Sequence, residues 1–153
     1  MASPVQNWTS DMFHDVVDDA GERSPDELHE RYEEELVAAI DARGLETVAA
    51  EAGVEAATLR ALLAGDRPEL TLEEAAAVLA TLEGTPDAEA IAVESRDALL
   101  MGMTTAVLDV EAVESGVGGE LEAREIQSKV EGRFPMTLRE FALLHHYIES
   151  RSR

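Results

Sequence analysis

From Ser24 onward, apolar residues recur three or four positions apart, separated by Glu, Asp, Arg and small residues. Leu28, Tyr32, Leu36 and Ile40 make one such stripe, the spacing of an amphipathic helix with a single buried face. Ser24-Pro25-Asp26-Glu27 ahead of it supplies an N-cap, a first-turn proline and a carboxylate three residues on, which is a capping box. Gly44 breaks the helix. Short helices are expected over Leu45–Ala52 and Glu55–Ala64, joined by a turn at Gly53-Val54, with Leu59, Leu62 and Leu63 turned inward. Gly65-Asp66-Arg67-Pro68 closes the second. Thr71-Leu72-Glu73-Glu74 is a new capping box, opening a helix that runs to about Glu83.

The same order then repeats. Thr85-Pro86-Asp87 caps a helix whose Ile91, Leu99, Leu100 and Met103 align with Leu28, Leu36, Val37 and Ile40 at a constant offset of 63. Leu45–Val54 aligns with Leu108–Val117, and an insertion of about four residues follows near Gly118-Gly119. Ile126 and Val130 then stand where Leu59 and Leu63 stood, and Gly132-Arg133-Phe134-Pro135 replaces Gly65-Asp66-Arg67-Pro68. Thr137-Leu138-Arg139-Glu140 repeats the capping box. Caps, turns and core positions agreeing in one order argue for an internal duplication. The expected fold is all-α: two tandem four-helix, helix-turn-helix-like units plus a short N-terminal helix. Residues 1–23 form an extension in which Met12, Phe13, Val16 and Val17 build a docking helix. Residues 24–84 are the first unit, and residues 85–153 are the second, packed with the first.

Composition adds an environment. Thirty-three acidic residues face twelve basic ones, for a net charge of −21, and Lys129 is the only lysine. Acidic excess with lysine depletion reads as adaptation to molar salt, and the regular apolar spacing argues against disorder. The whole of that charge falls in residues 1–119, whereas residues 120–153 hold six acids and six bases. With no cysteine, disulfides, thiolate metal sites and thiol catalysis are excluded. No apolar run approaches the roughly 20 residues of a membrane span, and no secretory signal opens the chain. The protein is therefore expected in the cytoplasm.

Val48-Ala49, Gly53-Val54, Leu59 and Leu62 resemble the helix-turn-helix signature of phage-repressor-type regulators, over residues 37–82 and less closely over 100–149. The chain as a whole resembles a family of short haloarchaeal proteins catalogued as a domain of unknown function, DUF5791. The likeness lies in Met12-Phe13-His14-Asp15-Val16, in the run from Leu99 to Asp109, and in His145-His146-Tyr147-Ile148. It implies a halophilic source, assigns no activity, and makes Met12 an alternative start.

In a helix-turn-helix unit, exposed residues of the second helix read the major groove. In the first unit these would be Glu55, Ala56, Ala57, Thr58 and Arg60, a poor reader. The second unit is better equipped, with Arg124, Gln127 and Ser128 expected to be exposed and Lys129 and Arg133 beside them. Arg and Gln can pair with base edges, while Lys and Arg can hold phosphate. The plainer reading of the same helix is a solvated surface with Glu125–Lys129 pairing.

Other features suggest no chemistry. Gly116-Val117-Gly118-Gly119 lacks the spacing and the preceding strand of a dinucleotide loop. Asp18-Asp19 and Glu33-Glu34-Glu35 read as solvated faces. His145 and His146 point about 100° apart on a helix and read as a surface pair, not as metal ligands. In Met101-Gly102-Met103 the glycine permits close helix approach and the methionines fill core space. No enzyme, cofactor or metal site is expected. Two readings stand: a DNA-binding regulator acting through the second unit, or a protein-interaction adaptor or homodimer using an exposed Leu/Met stripe. A basic, unobstructed helix over 122–131 would favour the first reading, and one buried against the first unit the second.

Overall fold

The computed structural model describes residue 22 and residues 24–151. The expected docking helix and Met12 lie outside the described residues. Among those residues stand eight helices in two runs of four. The first run is α1 Pro25–Arg43, α2 Leu45–Ala52, α3 Ala56–Leu63 and α4 Leu72–Leu79. The second is α5 Ala88–Ala106, α6 Val110–Gly116, α7 Ala123–Val130 and α8 Leu138–Arg151. The fold is all-α.

Helix starts follow the caps read from the sequence. The side chains of Ser24, Thr71 and Thr137 accept the N–H groups of Glu27, Glu74 and Glu140, and each of those glutamates returns a bond to the cap N–H. Asp87 accepts from the Ala90 N–H at 2.8 Å, as the start of α5 requires. α4 stops at Leu79, short of Glu83, because side chains take up its last carbonyls. Thr81 Oγ1 donates to the Val78 carbonyl at 2.7 Å, and Thr85 Oγ1 donates to that of Leu82 at 2.7 Å.

One hydrophobic core joins all eight helices, from Leu28 and Leu36 in α1 to Phe141 and Leu144 in α8. Its layout is an exchange: α1 lies along α8, and α4 lies along α5. The two runs also meet at a short antiparallel bridge between Thr71 and Thr137. There the Leu72 N–H donates to the Met136 carbonyl (2.7 Å) and the Leu138 N–H donates to that of Leu70 (2.8 Å). Both residues of the bridge are N-caps, so the loops that open α4 and α8 are tied to each other.

Expected core positions depart from the pattern in two places. Leu63 and Leu100 are exposed rather than inward, because each lies on the outer edge of its helix stripe. Met103 is buried, whereas Met101 is 70% exposed and fills no core space. Gly102 does serve close approach: a Cβ there would stand 2.6 Å from Ile148 Cγ2 of α8.

Candidate functional site

α7 begins after Glu122, whose N–H donates to Glu125 Oε1 at 3.1 Å. Leu121, Ile126 and Val130 are buried as the spacing requires. Arg124 projects into solvent with no hydrogen bond or ion pair to any described residue. Gln127 is exposed, but its Nε2 donates to Glu131 Oε2 at 3.2 Å.

Ser128 corrects the expectation, since it is buried. The chain after α7 folds back over it: the N–H groups of Arg133 and Phe134 both donate to the Ser128 carbonyl, at 2.8 and 3.4 Å. Lys129 is already engaged. Its Nζ lies 2.7 Å from Glu140 of α8 and 3.7 Å from Glu125, so the expected helical pair is the weaker of its two contacts. Arg133 is exposed and paired with Glu131 at 2.7 Å. A cleft of about 550 Å³ runs beside these residues, where Glu69, Glu122, Glu125 and Glu140 outnumber Arg124 and Lys129. α7 packs on α6 and α5. Its exposed side carries Arg124 among carboxylates, and the helix is not buried against the first run.

A second constellation was not visible in the sequence. Arg67, held at φ 55° in the loop before α4, reaches back to three residues of α1. Its Nε donates to Glu33 Oε1 (2.9 Å), its Nη1 to Asp26 Oδ1 (3.0 Å), and its Nη2 faces His29 Nδ1 (3.0 Å). A guanidinium only donates, so Nδ1 accepts and the ring proton sits on Nε2, 3.5 Å from Glu33 Oε2. Burial, then the Arg67 charge, hold His29 down at about 4. Burial pushes the Glu33 carboxyl above its usual range against the pull of Arg67. Glu33 is thus a buried ion-pair partner, not part of a solvated face, because the loop carrying Arg67 closes over it.

His145 is likewise no surface residue. It is buried between α1 and α8, hydrogen-bonded through Nδ1 to Tyr32 Oη and ring-to-ring with Tyr32 and Phe141 at 6.2 and 5.5 Å. Burial raises Tyr32 far above the usual phenol range, keeping its hydroxyl protonated.

Arg96 is the buried cation of α5. Its Nε donates to the Lys129 carbonyl (2.8 Å) and its Nη2 lies 2.6 Å from Glu73 of α4. It borders a cleft of about 480 Å³ between α5 and the end of α7. The outer face of α5 beside that cleft carries Val93, Leu100 and Met101, exposed by 48%, 38% and 70%. Val107, just beyond the end of the helix, is 88% exposed and in left-handed backbone at φ 57°. That conformation is costly for a β-branched residue.

Among the described residues, no three His, Asp or Glu side chains converge as metal ligands, and no helix is long and apolar enough to cross a membrane. The fold and these sites define an all-helical protein with buried ion pairs, acidic clefts and one apolar outer face. The chain belongs to the family of unknown function DUF5791, which it matches over residues 28–151. No curated protein and no solved structure matches it.

Proposed function

We propose that this is a cytoplasmic, non-enzymatic protein-interaction adaptor of a halophilic, haloarchaeal source, built from two related units over residues 24–84 and 85–153. The observation that carries the adaptor reading is the stripe Val93, Leu100 and Met101, three large apolar side chains left in solvent on one face of α5. Isolated exposed leucines are ordinary, but aligned ones beside a cleft mark interaction surfaces. The acidic excess and single lysine support the halophilic source.

The test is partner retention by the full chain at about 2 M KCl, where charge is screened over about 2 Å. Leu100→Asp should abolish recovery of a protein partner that the wild type retains. Equal recovery by both would sink the reading.

One observation favours DNA instead. Arg124 stands exposed in the first turn of α7, where a recognition helix presents its reading residues. Sequence-selective DNA retention lost in Arg124→Glu would support that reading. The carboxylates lining the adjacent cleft weigh against it.

A further inference from the structure

We infer that the α5 face takes a basic amphipathic helix of another protein. This rests on the adaptor reading and adds the partner's chemistry. Ala92, Val93, Leu100 and Val130 give the 480 Å³ cleft an apolar part of its lining. Glu73, Glu89, Asp97 and Glu131 line it as well. Two of those charges are answered within the chain, Glu73 by Arg96 and Glu131 by Arg133. Glu89 and Asp97 have no cation among the described residues, and at four-residue spacing they alternate with Val93 and Met101 along one row of α5. Apolar side chains interleaved with unanswered carboxylates are complementary to a helix with leucines on one face and Lys or Arg among and beside them.

The stripe from Val93 to Met101 rises about 12 Å, a little over two turns, enough to engage anchors at i, i+3 or i+4, and i+7 of a partner helix. A second copy of this chain is the poorer occupant. A two-fold contact through this face would gather the Glu89 and Asp97 carboxylates of both copies into one interface, on a protein already at −21. The corresponding face of α1 carries no such stripe. At the positions aligned with Val93, Asp97, Leu100 and Met101 it has Glu30, Glu34, Val37 and Ala38.

The experiment uses the full chain and a fluorescent helical peptide of roughly four turns, leucine on one face and arginine on the other, beside a leucine/glutamate peptide of the same pattern. Anisotropy is read at about 0.3 M and about 2 M KCl. The leucine/arginine peptide should bind and the leucine/glutamate peptide should not. Asp97→Lys with Glu89→Lys should weaken binding by about 10-fold or more at the lower salt, and Leu100→Asp should weaken it at both salts. Glu30→Lys with Glu34→Lys removes the same charge from α1 and should change affinity less than about 2-fold. Matching circular dichroism and melting curves keep misfolding out of the comparison.

Equal weakening by the α1 and α5 charge reversals would overturn the inference, because the peptide would then be reading net charge. Equal binding of the leucine/glutamate peptide would overturn it too, as would a dimer in light scattering that Leu100→Asp dissolves. If Leu100→Asp loses a native partner while the leucine/arginine peptide never binds, the basic helix falls and the adaptor reading stands. If Leu100→Asp changes neither, both fall.

Discussion

α1 and α5 are both 19 residues long and occupy corresponding places at the head of each run, yet they solve different problems. Where α1 buries Tyr32 against Phe141 and His145 of α8, α5 at the aligned position buries Ser95, whose hydroxyl bonds its own helix. Where α1 buries the anion Glu33, α5 buries the cation Arg96. And where α1 shows solvent Glu30 and Glu34, α5 shows Val93 and Asp97. α1 thus carries an aromatic seam with a titratable cluster, whereas α5 carries a buried hydroxyl and an outer face with exposed apolar residues. The buried charge is of opposite sign in the two helices, and each brings its own partner, Arg67 for Glu33 and Glu73 for Arg96.

The sharpest break of this contrast is Phe141→Ala, which opens a cavity in the aromatic seam. It should cost about 3–5 kcal/mol, against less than about 1 kcal/mol for Ser95→Ala in α5. Urea midpoints at fixed salt compare them, and equal losses would erase the distinction.

Next is acid. His29 has a folded value of about 4 against its ordinary 6.5, so folding favours the neutral ring. Its contribution is fully present above about 6.5 and is lost as pH falls from there toward about 4. The size is at most about 3 kcal/mol. Glu33 acts in the opposite sense, since a raised carboxyl regains stability on protonation, and it offsets part of the loss. Asp26, Arg67 and Arg139 of α8 also face the ring. His29→Gln should flatten the pH dependence of stability in that window, and an unchanged slope would remove the cluster from the account.

A smaller effect separates two aligned glycines. Gly116 is pressed against the ring of Tyr147, which an added Cβ would overlap, so Gly116→Ala should cost about 1–3 kcal/mol by overpacking. Gly53 has open space but sits at φ 71°, so Gly53→Ala should cost about 1 kcal/mol from backbone strain alone. Thermal melts of the two variants check the order. Smallest of all, Leu100→Asp should move stability by no more than about 0.5 kcal/mol, whereas Val37→Asp, half-buried on α1, should cost more.

The architecture was largely legible because local chemistry dictates it. Capping boxes at Ser24, Thr71 and Thr137 marked helix starts, and the bounds of α2 could be read from Gly44 and Gly53. The sites were less legible because their partners are remote. Tyr32 and His145 are 113 residues apart, and Arg67 meets Glu33 across 34. A helical wheel for α7 exposes Ser128 and frees Lys129. Only the returning loop and Glu140 of α8 reveal that one is covered and the other taken. Residue type alone also could not say that Leu100 faces water while Leu99 beside it is buried.

The exchanged packing of α1 on α8 and α4 on α5 makes the connection between α4 and α5 a tether. It converts the meeting of two four-helix runs from a concentration-dependent association into an intramolecular one. A backbone cut between Leu82 and Asp87 would restore that dependence. The fragments would stay together at high concentration and dissociate on dilution, so the intact chain should melt at one temperature at any dilution, whereas the nicked one should not.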